Sequence, residues 1–108
     1  MKINVICRVE PGCLGPDGAD HVEAFCKKAQ TEFDQMDPCS VDWELIPRWD
    51  KNLPEIQYKL AGKLLNEQQT KMYLSAMGRE HDDFEGRLFQ QLTACINQFF
   101  GRWEPYDR

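Results

Sequence analysis

The chain has 108 residues and a formal net charge of −5, and 42% of its residues are hydrophobic. This length predicts a single domain over residues 1–108, with enough apolar side chains for a core. An acidic chain is repelled by phosphate backbones, and no run of about 18 apolar residues occurs, so neither nucleic acid nor a membrane is a predicted partner. The five cysteines include no C-x-x-C pair and predict free thiols in a reducing, cytoplasmic compartment.

The start of the chain predicts a strand followed by a helix. Apolar and polar residues alternate over residues 2–10, as in a strand with one buried face, and only Ile6 breaks the alternation. Apolar residues then recur at three- and four-residue steps over residues 18–36, which predicts a helix that packs on one face. Asp17 is the predicted N-cap. Pro38 sets the end, because the residue before a proline disfavours helical geometry.

The second half of the chain predicts two more strands and two more helices. Alternation predicts strands over residues 41–46 and 56–61, joined by a loop with a proline at each end. A capping-box pattern that begins at Asn66 starts the next helix. A second such pattern, with Asp82 at the cap and Glu85 three residues later, starts a final helix over residues 82–101.

These elements predict an α+β two-layer sandwich in the order β-α-β-β-α-α. Each predicted strand has one apolar and one polar face, so the helices are expected to cover a three-stranded mixed sheet on one face only. The favoured strand order is 1-3-2, as in a split β-α-β unit, and the sequential order is the alternative.

Three connections are expected to meet at one edge of this sheet. If the first strand runs upward, residues 11–20, 47–54 and 78–82 all lie at the upper edge. This convergence predicts, as an alternative function, a small enzyme or a ligand- or metal-binding domain. Its candidate ligand-binding residues are Cys13, His21, Arg48, Trp49 and His81.

Each chemical use of that edge has a plainer explanation. The histidines have no ligand partner at a tight spacing, and both fit the solvated first turn of a helix. Cys13 could serve as a nucleophile with a histidine base, but the nearby carboxylates of Asp17 and Asp20 would disfavour formation of its thiolate. The nearby glycines match neither phosphate-binding fingerprint. The sequence therefore predicts no catalytic residue, no metal site and no cofactor.

The uncovered face of the sheet and the aromatics outside the core favour a binding partner instead. Ile6 and Ile46 interrupt an otherwise polar face, and the outer strands offer unpaired amides for edge pairing. Trp49 in a loop and Tyr106 in the tail are side chains of the type that anchors interfaces. The favoured function is a non-catalytic protein-interaction or regulatory module that binds a protein partner or forms a homodimer.

Overall fold

The computed structural model describes residues 2–101, and the predicted elements are present with two additions. One addition is a 3₁₀ turn over Pro11–Leu14, and the other is a two-residue strand before the second helix. The strands are β1 (Ile3–Val9), β2 (Val41–Pro47), β3 (Ile56–Leu60) and β4 (Lys63–Leu64), and the helices are α1 (Gly18–Phe33), α2 (Glu67–Ala76) and α3 (His81–Phe99).

The α+β class is confirmed, whereas the predicted strand order is wrong. The sheet is mixed and has four strands in the order β2-β1-β3-β4, so neither 1-3-2 nor the sequential order occurs. β1 is central, because it pairs parallel with β2 and antiparallel with β3. Ile6, which breaks the alternation of β1, is only 3% exposed. Ile6 lies between Glu44 of β2 and Gln57 of β3, whose side chains flank it on the outer face of the sheet.

The short strand β4 decides the direction of the last two helices. Ala61 and Gly62 connect β3 to β4, and both have positive φ angles, 53° and 81°. Two such residues form the tight turn of a hairpin, and Leu60 pairs with Lys63 across it. The added strand reverses the chain once more than the sequence predicted. As a result, α2 and α3 run opposite to their predicted directions.

The hydrophobic core joins the inner face of the sheet to all three helices. Trp43 of β2 stacks on Phe84 of α3, with ring centroids 5.7 Å apart and an interplanar angle of 4°. Phe33, at the end of α1, meets the same indole edge-on at 5.1 Å. None of the helices within residues 2–101 is both long enough and apolar enough to cross a membrane.

The helix ends follow the sequence only in part. Asn66 accepts from the backbone N–H of Gln69, whose side chain accepts from the backbone N–H of Asn66, so the capping box of α2 is confirmed. At α3 the predicted cap, Asp82, is wrong: the N-cap is Glu80, which accepts from the backbone N–H of Asp83 at 3.1 Å. Glu85 contacts Tyr58 and His81 instead. Asp17 occupies the N-cap position of α1, as predicted, but its side chain does not make the expected capping hydrogen bond.

Candidate functional site

The parallel pairing of β1 and β2 brings the ends of both strands to the upper edge of the sheet. The backbone N–H of Arg48 donates to the carbonyl oxygen of Val9 at 2.8 Å. The Arg48 guanidinium donates to the Glu10 carboxylate at 2.9 Å, and Lys51 forms an ion pair with the same carboxylate. Two of the three predicted connections, those that follow β1 and β2, therefore meet at this edge.

Residues 48–54, the tryptophan loop, are held in place by their own side chains. Arg48 Nε and Nη2 donate to two backbone carbonyls of the loop, at 2.9 and 3.1 Å. Asp50 accepts from a backbone N–H two residues later at 2.9 Å. Trp49 lies on this constrained backbone with 56% of its surface exposed. The loop therefore presents an indole to solvent on a backbone that is already ordered.

The five predicted ligand-binding residues do not form one site. Cys13 is exposed in the turn after β1, and Arg48 and Trp49 follow β2 at the same edge. His21, exposed on α1, contacts two phenylalanine rings at the end of α3, with centroids 5.9 and 6.3 Å away. His81 begins α3 and lies about 27 Å from that end, at 1.5 Å per residue. The prediction that His81 joins the upper edge is wrong, because β4 reverses α3.

The connection over residues 78–82 lies at the lower edge of the sheet instead. Arg79 Nη2 donates to the Asp37 carboxylate at 2.8 Å, and Asp37 lies shortly before the start of β2. Within residues 2–101, no three side chains of histidine, cysteine, aspartate or glutamate form a group that could hold a metal ion.

The four interface candidates differ in how much surface they expose. Ile6 is buried, because β1 is central and long polar side chains flank it on both neighbouring strands, so its prediction as exposed apolar surface is wrong. Ile46 is half-buried, and Trp49 is exposed. Tyr106 lies outside the described residues.

The outer edge of β2 does not offer all the unpaired amides that the sequence predicted. The Gln30 carboxamide of α1 donates to the Trp43 carbonyl oxygen at 2.8 Å and accepts from the Leu45 N–H at 2.9 Å. An added strand would bond to the same backbone groups. Gln30 therefore protects the middle of this edge from pairing.

A cleft of about 390 Å³ opens beside β3, next to the starts of α2 and α3, and is called the β3 cleft below. Tyr58 Oη donates to Glu85 Oε2 at 2.7 Å, and His81 Nε2 lies 3.0 Å from the same oxygen. His81 Nδ1 is buried and has no hydrogen-bond partner among the described residues. The apolar side chains of the lining are Pro54, Ile56 and Leu65.

The environment of Tyr58 keeps its hydroxyl protonated. Burial raises the pKa of Tyr58 above its ordinary value of 10.0, and the hydrogen bond to the Glu85 carboxylate raises it further. The phenol is therefore a neutral donor at physiological pH. The β3 cleft combines this donor with a carboxylate and an imidazole.

The sequence did not predict that Tyr58, His81 and Glu85 share a site. It predicted Glu85 in a capping box and His81 at the upper edge of the sheet. Two signals were available. His81 and Glu85 are four residues apart and so share a helix face, and a tyrosine on the inner face of a strand needs a partner for its hydroxyl.

Within the described part of the chain, the upper edge and the β3 cleft are the places where we find polar side chains converging on one charged group. They differ in chemistry and lie on different elements of the fold. No family model, no curated protein and no solved structure matches this chain.

Proposed function

We propose that this protein is a non-catalytic protein-interaction module of the cytoplasm and that its tryptophan loop contacts the partner. The proposal is carried by Trp49, which is exposed on a loop whose backbone Arg48 holds in place. The cysteines support the compartment, because all five lie within the described residues as free thiols.

A loop that is ordered before it binds loses less entropy on binding. Immobilising a flexible side chain at an interface costs about 0.5–1.5 kcal/mol. In the tryptophan loop, Arg48 and Asp50 already bond the backbone of the free protein. Tryptophan is also among the residues that most often dominate the binding energy of an interface. We therefore expect Trp49 to insert into an apolar pocket of the partner.

The surroundings of Trp49 indicate the chemistry of that partner. Leu53, in the same loop, is also exposed and extends the apolar surface. Asp50 and Lys51, which follow Trp49 in the loop, are both exposed and carry opposite charges. An apolar pocket with a polar rim of both charge signs complements this combination. A different protein with such a pocket fits better than a second copy of this chain, whose net charge is −5.

The test compares Trp49→Ala with Met72→Ala. Met72 is 66% exposed on α2 and is the matched control for the loss of an exposed apolar side chain. A partner captured from a cytoplasmic extract is identified, purified and titrated against each variant by calorimetry. Trp49→Ala is expected to weaken the complex by about tenfold or more, and Met72→Ala by less than about twofold.

Sedimentation velocity measures self-association of the same proteins in parallel. A dimer that dissociates in Trp49→Ala and persists in Met72→Ala would assign the loop to a contact between two copies. Equal partner affinity for both variants would contradict the proposal. So would a wild-type chain that stays monomeric and captures no partner.

A further inference from the structure

The β3 cleft contains a carboxylate with little positive charge around it. Glu85 is half-buried, and His81 Nε2 lies 3.0 Å from its carboxylate and forms an ion pair with it only when the imidazole is protonated. Glu67, the second acidic residue of the lining, is paired with Lys71 at 3.2 Å in an exposed ion pair. No lysine or arginine is among the described residues that line the cleft. The cleft therefore favours cations over anions.

Two polar atoms of the cleft have unused hydrogen-bonding capacity. Both hydrogen bonds described for Glu85 end on Oε2, so Oε1 is available as an acceptor. His81 Nδ1 is buried without a partner among residues 2–101. Glu85 Oε1 can accept from a ligand directly, whereas His81 Nδ1 is inaccessible and could pair with a ligand only after the imidazole rotates.

We propose that the β3 cleft binds a primary alkylammonium group, with the ammonium at Glu85 Oε1 and the alkyl chain along Ile56 and Leu65. A single carboxylate oxygen is sufficient for an ammonium, whereas a guanidinium prefers both oxygens of a carboxylate. Oε2 is occupied by Tyr58 and His81, so a bidentate contact would have to displace one of them. The ring of Tyr58, which lines the cleft, adds aromatic surface that attracts a cation.

A free amine and a lysine side chain of another protein supply the same ammonium. The cleft volume of about 390 Å³ falls at the small end of the range of ligand pockets, about 300–1,000 Å³. A free alkylamine would lie wholly inside this space, whereas a lysine would enter with its backbone outside. The experiment therefore includes one probe for each source.

The probes are n-butylammonium, n-butylguanidinium and a lysine blocked as an amide at both ends. The full chain contains two histidines, so isotope labelling of histidine gives ring-nitrogen resonances for His81 and, as an internal reference, His21. His21→Gln assigns the two signals. We expect n-butylammonium to shift the His81 resonances saturably and to bind about tenfold more tightly than n-butylguanidinium. Equal binding of the two cations, or no saturable shift at His81, would overturn the proposal.

Matched substitutions test the role of the carboxylate. Glu85→Gln keeps the size and can still accept from Tyr58, but it removes the charge. It is expected to lower the affinity for n-butylammonium by about tenfold or more. Glu44→Gln makes the same change of charge at an exposed site on β2 and is expected to change the affinity by less than about twofold. A similar loss in both variants would overturn the proposal.

The remaining outcomes distinguish a free amine from a partner's lysine as the ligand, and they separate the ammonium site from the proposed role of the tryptophan loop. A blocked lysine that binds more tightly than n-butylammonium assigns the site to a partner's side chain, and one that binds more weakly assigns it to a free amine. Both results support an ammonium site. Trp49→Ala is expected to leave n-butylammonium binding unchanged, so the cleft and the tryptophan loop are tested independently.

Discussion

The tryptophan loop and the β3 cleft are each organised around one charged side chain, but the two side chains act differently. Arg48 divides its donors between Glu10 and two backbone carbonyls. Glu85 receives two side-chain donors on a single oxygen. Bonds to backbone atoms constrain the chain, whereas bonds between side chains can be exchanged by rotation. The first arrangement suits the display of a surface, and the second suits the admission of a ligand.

Among the substitutions, breaking the support of the upper edge is expected to have the largest effect on stability. In Gly18→Ala, the new Cβ would overlap the carbonyl oxygen of Pro11, the first residue of the 3₁₀ turn after β1. Because backbone cannot move aside cheaply, we expect a loss of about 3 kcal/mol in the free energy of unfolding. Urea denaturation measures it.

Gly86→Ala is the control for that substitution. A Cβ at Gly86 meets nothing within 4 Å, and the residue lies in the interior of α3. We therefore expect a gain of up to about 1 kcal/mol from the higher helix propensity of alanine. Similar stabilities of the two alanine variants would mean that the backbone at Pro11 and Gly18 can move apart to admit a methyl group.

Arg48→Ala tests whether the tryptophan loop depends on its central charged side chain, because it removes the guanidinium that bonds the loop backbone. Two backbone carbonyls lose their donor and the Glu10 carboxylate keeps only Lys51, for an expected loss of about 2 kcal/mol in the free energy of unfolding. The exposed Arg87 is the control, and Arg87→Ala is expected to change stability by less than about 0.5 kcal/mol. An Arg48→Ala variant as stable as Arg87→Ala would mean that the loop does not depend on its arginine.

Alkaline pH tests how strongly the buried side chains of Cys7 on β1 and Tyr58 on β3 link protonation to the stability of the sheet. Burial, and then the charges of Cys26 and Glu55, raise the pKa of Cys7 from 9.0 to about 12. Above pH 9 the unfolded chain therefore releases this proton while the folded chain keeps it. The free energy of unfolding falls between pH 9 and 12, by about 1.4 kcal/mol per pH unit.

The raised pKa of Tyr58 contributes with the same sign above its ordinary value of 10.0. Urea denaturation at a series of alkaline pH values, under reducing conditions, measures the decline. Cys13→Ser, which removes an exposed thiol, is expected to show the same fall in the free energy of unfolding with pH as the wild type. Cys7→Ala is expected to show a smaller fall per pH unit. The same slope in both variants would contradict this assignment.

Tyr58→Phe is expected to have the smallest effect. It removes the hydrogen bond to Glu85 and preserves the buried ring, for an expected loss of about 1 kcal/mol in the free energy of unfolding. A double-mutant cycle with Glu85→Gln isolates the interaction, with an expected coupling of about 1 kcal/mol. A coupling of zero would mean that the phenol and the carboxylate act separately.

The sequence predicted the main strands and helices well, because each depends on local periodicity. The order of the strands depends on pairing between residues far apart in the chain, which local periodicity does not encode. The break at Ile6 predicted exposed apolar surface, whereas its central position between two neighbouring strands buries it. The capping box at Asn66 was predictable, since both of its hydrogen bonds are local.

The candidate site was harder to predict, because it depends on the direction of elements far apart in the chain. The hairpin turn at Ala61 and Gly62 lacks the Asn-Gly or Asp-Gly signal of such turns, so β4 was missed. One missed reversal moved His81 to the opposite edge of the sheet. It also concealed the contact between Glu85 and Tyr58, which no local pattern encodes.

The carboxamide of Gln30 has a consequence for the behaviour of this protein at high concentration. Sheets grow into fibrils when an open border accepts strands from other molecules. Here the carbonyl of Trp43 and the amide of Leu45 are already engaged, so an incoming molecule must first displace a glutamine. Resistance to polymerisation along this border therefore depends on one rotatable side chain.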